Sequence, residues 1–341
     1  EGPEHGRMIE LDSKPVTIGR ALPADIVLRD VEMSRSHCRL HLQLDEVTVT
    51  DLGSTNGTFV NGKQIAGQAR LPHGSFLQIG RHLLKHERRG RREIEQNRDF
   101  DRSLEGASRY IQSLLPPPMS TGPVRTEWLL LPSTRLGGDA LGYQQLDDDT
   151  FALYLLDVSG HGVEAAMLAV AVMNVLRQKA LPDTNLRQPA QVIAKLNAMF
   201  QMDTHSSMYF TIWYGVFQSS RRLLSYSSAG HHPAYLVPES RREMMPLRTP
   251  NIAVGIAGNY SFSSETVHVP PQSMLYLFSD GVFEIVTAEG NQWEIKDFLP
   301  LLTEPMISGM AEPQRIYQAV QRVARRGPLE DDFSLLAVGF A

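Results

Sequence analysis

Three consecutive prolines, Pro116-Pro117-Pro118, stand where neither an α-helix nor a central β-strand can pass. Proline lacks the backbone donor and turns the residue before it away from helix. The hydrophobic pattern differs on the two sides. Up to residue 87 it consists of short alternating runs, Val16-Thr17-Ile18, His41-Leu42-Gln43-Leu44 and Val47-Thr48-Val49, parted by turn clusters such as Pro23-Ala24-Asp25 and Gly53-Ser54-Thr55-Asn56-Gly57. That is the signature of a β-sandwich. From residue 124 strands and helices mix. Residues 151–158 form a continuous apolar strand, and 163–178 an Ala/Met/Leu/Val-rich helix capped near Ser159-Gly160. Pro189 opens a helix to about residue 202, and residues 208–217 and 223–229 read as a hairpin. Strands at 273–279 and 333–340 and helices at 296–302 and 313–325 complete the pattern. One core stops growing near roughly 250–300 residues, so 341 residues predict two domains.

Between them, residues 85–92 are strongly basic and a polar helical stretch runs to the prolines. Phe100, Leu104, Ala107, Ile111 and Leu114 recur at spacings of 4, 3, 4 and 3, an a/d-like stripe of about two heptads. The stripe suits either a weak homodimer contact or packing on the chain's own C-terminal domain.

A net charge of -5 gives no general pull toward nucleic acid or anionic membrane. The Arg88–Arg92 cluster is short and flanked by acidic residues, so it reads as solvated. The longest nearly apolar stretch, 165–176, falls short of the ~20 residues of a membrane span. The acidic opening Glu1-Gly2-Pro3-Glu4 does not read as a signal peptide, and the missing initiator Met leaves room for a longer N-terminus. A single cysteine, Cys38, fits a reducing compartment, and the expected location is cytoplasmic.

Phosphate is a dense acceptor best met by guanidinium or backbone donors on rigidly held loops. Gly19-Arg20, Ser34-Arg35-Ser36-His37 and Ser54-Thr55-Asn56-Gly57 supply them, with Val60-Asn61-Gly62 and Gly74-Ser75-Phe76-Leu77-Gln78-Ile79-Gly80 in the expected order. Residues 7–87 thereby resemble a forkhead-associated (FHA) domain. The resemblance implies that Arg20 and Ser34 bind the phosphate of a phosphothreonine protein, that Arg35 flanks it, and that Thr55 and Asn56 hold the peptide backbone. It makes His37 structural, and Cys38 reads as packing. Two lookalikes fail. Gly57 to Lys63 approaches a phosphate-binding P-loop, but Gln64 replaces the Ser or Thr and no helix follows. His37-Cys38 lacks the Arg six residues on that a cysteine phosphatase requires; Leu44 is there.

Phosphomonoester hydrolysis without a nucleophilic Cys calls for metal-activated water, which two hard cations on oxygen ligands provide. The corresponding signal is Asp at strand edges beside glycine turns. It occurs four times: Gly137-Gly138-Asp139, Asp157-Val158-Ser159-Gly160-His161-Gly162, Ser279-Asp280-Gly281 and Glu330-Asp331-Asp332. With Tyr209 to Val216, Ala229-Gly230-His231-His232-Pro233 and the last strand, residues 124–341 resemble the metal-dependent protein phosphatases (PPM, protein phosphatase 2C-like) of the SpoIIE-like bacterial subgroup. The segment from Ala107 to Pro116 is similar to the helix that precedes this domain in relatives.

The expected fold is thus an all-β FHA sandwich (7–87), a helical linker (88–123) and an α+β PPM domain (124–341) of two stacked antiparallel sheets flanked by helices. The resemblance implies a protein serine/threonine phosphatase that binds two Mn2+ or Mg2+ ions. Asp157 bridges them with the carbonyl of Val158, and Asp139, Asp280 and Asp331 complete the site, Asp331 being preferred to Asp332. His161 reads as turn rather than general acid, and His205, His231 and His232 lack zinc spacing. Implied partners are a phosphothreonine protein on the FHA domain, a phosphoserine/phosphothreonine protein substrate and an opposing Ser/Thr kinase. The rival reading is a phosphopeptide-binding scaffold with a silent phosphatase domain.

Overall fold

The computed structural model describes residues 8–88, 91–204, 207–325, 327 and 330–341, with backbone alone at 91–98 and 204. His205 and part of the Arg88–Arg92 cluster lie outside the described residues. The chain divides into two compact units, Glu1–Asp99 and Phe100–Ala341, the division falling inside helix α1 (Arg91–Leu114).

The first unit is a sandwich of β1 (Val16–Gly19), β2 (Ile26–Val27), β3 (Cys38–Gln43), β4 (Glu46–Asp51), β5 (Thr58–Val60), β6 (Lys63–Gln64), β7 (Gln68–Arg70), β8 (Phe76–Ile79) and β9 (His82–Lys85). One sheet has the order β2-β1-β3-β4-β7 and the other β6-β5-β8-β9. Ile18, Leu40 and Val49 of the first pack with Leu77 and Ile79 of the second. Alternation holds along β3 except at its expected last residue. Leu44 is fully exposed and, with Asp45, has positive φ, so the two residues make the hairpin turn into β4. Asn61-Gly62 turns β5 into β6 in the same way, so the P-loop lookalike is a hairpin.

The second unit contains β10 (Val124–Leu131), β11 (Asp139–Gln145), β12 (Thr150–Val158), α2 (Val163–Arg177), α3 (Pro189–Met199), β13 (Phe210–Gln218), β14 (Leu223–Ala229), β15 (Ala234–Val237), β16 (Met245–Leu247), β17 (Glu265–His268), β18 (Ser273–Phe278), α4 (Ile295–Phe298), α5 (Glu312–Val323) and β19 (Phe333–Phe340). Two antiparallel sheets, β10-β19-β18-β15-β16 and β11-β12-β13-β14-β17, stack on one another. Helices α2 and α3 cover the outer face of the second sheet, and α4 and α5 the outer face of the first. A strand covered on both faces is apolar over most of its length, as β12 is from Phe151 to Leu156 and β19 from Leu335 to Phe340. Helix α2 starts at Val163 as expected, but its N-cap is Gly162 rather than Ser159-Gly160, and Gly160 and Gly162 both take positive φ.

The α1 stripe ends in this unit's own core. Leu114 is buried there with Leu115, while Phe100 is exposed and Leu104, Ala107 and Ile111 are half-buried. The prolines that follow are anchored by the Trp128 indole, which donates to Pro116 O (2.9 Å), and by the Tyr143 hydroxyl, which donates to Pro117 O (2.8 Å).

Candidate active site

The four acidic motifs meet at one end of the stacked sheets. Asp139 opens β11 and Asp157 nearly closes β12, and the two are register partners across that ladder. Thr211 of β13 is the partner of Asp157 on its other side. Asp280 follows the end of β18 and opens a 3-10 turn, Asp280–Val282. Asp331 and Asp332 precede β19, the neighbour of β18. Ser279 stitches these two strand ends together: its hydroxyl donates to Asp332 O (3.0 Å) and accepts from Ser334 N–H (3.1 Å). Gly281 permits the close approach, since a Cβ there would lie 2.3 Å from Asp332 O.

A cleft of about 420 Å³ opens over this end, walled by Asp157, Val158, Asp280, Glu330, Asp331 and Asp332. The adjacent acids differ sharply. Asp332 is buried, and its carboxylate accepts from Ser133 N–H (2.8 Å), Ser133 Oγ (3.0 Å) and Gly138 N–H (2.7 Å). Asp331 is exposed and, among the described residues, accepts only from the backbone N–H of Asp332 (2.7 Å). Asp139 does not line the cleft; it is 4% exposed, and among the described residues its Oδ2 has no hydrogen-bond partner. His161 and Thr211 are on the wall.

These carboxyls disfavour their own ionisation. Burial, then the charges of Asp280, Asp331 and Asp332, pushes Asp157 up to about 8. Burial, then Asp331 and Glu284, pushes Asp280 up to about 6. Asp139 is held well above the usual carboxylate range by burial, then by Asp157 and Asp332.

In the N-terminal unit the expected residues also come together. The loop after β1 carries Arg20, whose N–H donates to Ser34 O (3.0 Å); Thr55 N–H donates to Ser34 Oγ (3.1 Å). His37 accepts from Ser34 N–H at Nδ1 (3.2 Å) and donates from Nε2 to Gly57 O (3.0 Å), so one buried ring joins two loops. Gly19 lets them close up, because a Cβ there would meet Arg35 O at 1.9 Å. Arg20, Arg35, Thr55 and Asn56 are exposed, Ser34 half-buried. Asn56 already donates from Nδ2 to Glu32 O (2.7 Å), which leaves its Oδ1 for a ligand. Burial pushes the Cys38 thiol up to about 12, the behaviour of an inert packing residue.

Residues 147–341 match the family model for stage II sporulation protein E (SpoIIE), more than half of the chain. The chain belongs to the SpoIIE family. Residues 16–80 match the FHA domain, which precedes the SpoIIE domain here. Among relatives, phosphoserine phosphatase RsbU of Bacillus subtilis is 27% identical over 209 residues, 61% of each chain. The FHA domain-containing protein FhaB of Mycobacterium tuberculosis is 41% identical over 81 residues, 24% of this chain and 52% of FhaB. The chain thus spans less than two thirds of the length of either. The SiaA-PP2C domain of Pseudomonas aeruginosa superposes with a TM-score of 0.61 at 18% identity, over 72% of this chain and 99% of that one, and shows the same fold.

The donor set of this SpoIIE-family cleft suits hard divalent cations. It is built of oxygen ligands, it carries mutually repelling carboxylates that a cation would relieve, and it is backed by the unpartnered Oδ2 of Asp139. Among the described residues no three such side chains already converge on one point. Thr211, Ser133 and Glu330 also belong to the wall, though the sequence reading assigned them no role; Glu330 and Thr211 lie inside motifs it noted.

Proposed function

We propose that this SpoIIE-family chain is a metal-dependent protein serine/threonine phosphatase whose FHA domain captures a phosphothreonine protein. The observation that carries the reading is the half-buried pair Asp157 and Asp280 beside the exposed Asp331, where burial and mutual repulsion disfavour the ionised forms of Asp157 and Asp280 and so call for cations. Asp157, Asp280, Asp331 and the Val158 carbonyl would hold Mn2+ or Mg2+, two ions with Asp157 between them. Asp139 would support Asp157 from beneath. The ions would supply charge to offset the phosphoryl group and would acidify water at neutral pH. The protein's own part is to keep these oxygens at fixed strand ends, through Ser279 and the seated carboxylate of Asp332. His161 takes no acid role in this scheme.

The relative's name supports phosphoserine, and by extension phosphothreonine, as the substrate. We place the domain limits at 7–87, 88–123 and 124–341, an opposing Ser/Thr kinase upstream, and the protein in the cytoplasm. Among the described residues no helix is long and apolar enough to cross a membrane. We also propose weak homodimerisation through the exposed start of the α1 stripe. Sedimentation should show concentration-dependent association that Leu104→Asp with Ile111→Asp abolishes; a monomer at all concentrations rejects it.

Phosphate release from phosphoserine and phosphothreonine peptides tests the activity. The full chain should turn over with Mn2+, stop with chelator, and recover on adding the metal back. Peptide binding with no release at any metal concentration would favour the scaffold reading instead.

A further inference from the structure

His231 lies where the chain leaves β14 in one sheet and enters β15 in the other, at the end that carries the acidic cleft. It is 3% exposed, and a buried imidazole costs free energy unless both nitrogens find partners. Both do. Nε2 is 3.2 Å from Phe278 O and Nδ1 is 2.8 Å from Thr211 Oγ1. A carbonyl only accepts, so Nε2 carries the hydrogen, and Nδ1 must accept from the Thr211 hydroxyl. Burial, then the neighbouring His232, keeps the ring uncharged, in agreement with that pattern.

The two partners matter because of what adjoins them. Phe278 is the last residue of β18, two before Asp280. Thr211 is the register partner of Asp157 and lines the cleft. The imidazole therefore bridges the strand end that presents Asp280 and the strand that flanks Asp157, one from each sheet. His232 reinforces the bridge by stacking on His231 (centroids 4.4 Å apart) and on Phe278 (4.6 Å). The bond also commits the only proton of the Thr211 hydroxyl, so toward the cleft that group can accept but not donate.

We propose that His231 is a positioning residue that clasps the two sheets through Phe278 and Thr211 and so sets the spacing of Asp157 and Asp280 for cation binding. This rests on the metal-dependent reading above. Groups that orient metal-binding side chains without touching the metal are worth roughly 10–100-fold in affinity.

The test is calorimetric titration of the full chain with Mn2+ alone, together with phosphopeptide kinetics. His231→Gln and Thr211→Val, the latter nearly isosteric but without the hydroxyl, should each weaken Mn2+ binding by about 10–100-fold. Thr211→Ser, which keeps the donor, should stay within a few-fold of wild type. For His231→Gln the loss should appear in the Mn2+ concentration needed for half-maximal turnover, with the peptide KM unchanged. Should His231→Gln fail to fold, the Thr211→Val and Thr211→Ser pair decides. Wild-type Mn2+ affinity in Thr211→Val, with only a lower melting temperature, overturns the clasp and leaves the phosphatase reading intact. A wild-type chain that neither binds Mn2+ nor releases phosphate overturns both.

Discussion

Asp157→Asn should lower turnover of a phosphopeptide by roughly 10³-fold and at the same time raise the melting temperature of the metal-free protein. The two effects have one cause. Cation charge at a phosphoryl centre is worth several kcal/mol, and each 1.36 kcal/mol is tenfold in rate. Neutralising the carboxyl at the centre of the cluster removes much of that. Without metal, the same carboxyl is a burden. Its ordinary value of 3.8 is pushed up to about 8, by burial first and by Asp280, Asp331 and Asp332 next. A carboxyl raised in the folded state contributes stability that is full below its unfolded value and lost as pH climbs through the folded one. In chelator, the wild type should therefore lose stability between about pH 4 and 8, and the asparagine variant should lose less and melt higher at pH 8.5. Circular dichroism melts at pH 5.5, 7 and 8.5 measure this, beside turnover with Mn2+. A variant that melts lower than wild type at pH 8.5 would show that Asp157 is a structural acid, and retained turnover would remove it from the active site.

Much of this site could be read from residue order because an ionisable side chain cannot sit inside a strand buried on both faces. Asp139, Asp157, Asp280 and the Asp331-Asp332 pair had to fall at strand ends, and glycines beside them marked close backbone approach. What residue order leaves open is depth. Adjacent aspartates look alike in a sequence, yet one carboxylate is consumed by Ser133 and Gly138, almost 200 positions away, and the other faces solvent. Asp139, grouped with the others by its motif, is the register partner of Asp157 yet is buried and lies off the cleft wall. His231 stood out within its Ala-Gly-His-His-Pro motif, but its partners are 20 and 47 residues distant, and spacing carries no trace of either. The sandwich fold was legible from its turn clusters. Leu44 was misread as strand because an apolar residue in a two-residue turn breaks the alternation on which such readings depend.

Arg20→Ala should weaken binding of a phosphothreonine peptide to the full chain by about 10- to 150-fold. Among the described residues the Arg20 guanidinium is exposed and has no bonding partner, while its backbone is fixed by the bond to Ser34 O. The scaffold thus holds the residue in place and leaves its charge free for a ligand. A charge-assisted hydrogen bond is worth about 1.5–3 kcal/mol, and 1.4 kcal/mol is tenfold in affinity. The fold should not suffer, because nothing inside the unit depends on the guanidinium. Ser34→Ala offers a graded comparison. It removes the hydroxyl that accepts from Thr55 N–H (3.1 Å) as well as the phosphate contact that the FHA resemblance implies, so it should disturb the Thr55 loop where Arg20→Ala does not. Calorimetry with matched phosphothreonine, phosphoserine and unphosphorylated peptides gives the result. Wild type should prefer phosphothreonine over phosphoserine, and Arg20→Ala should bring phosphothreonine close to the unphosphorylated baseline. Equal affinity of the wild type for phosphorylated and unphosphorylated peptides would mean that this face does not read phosphate.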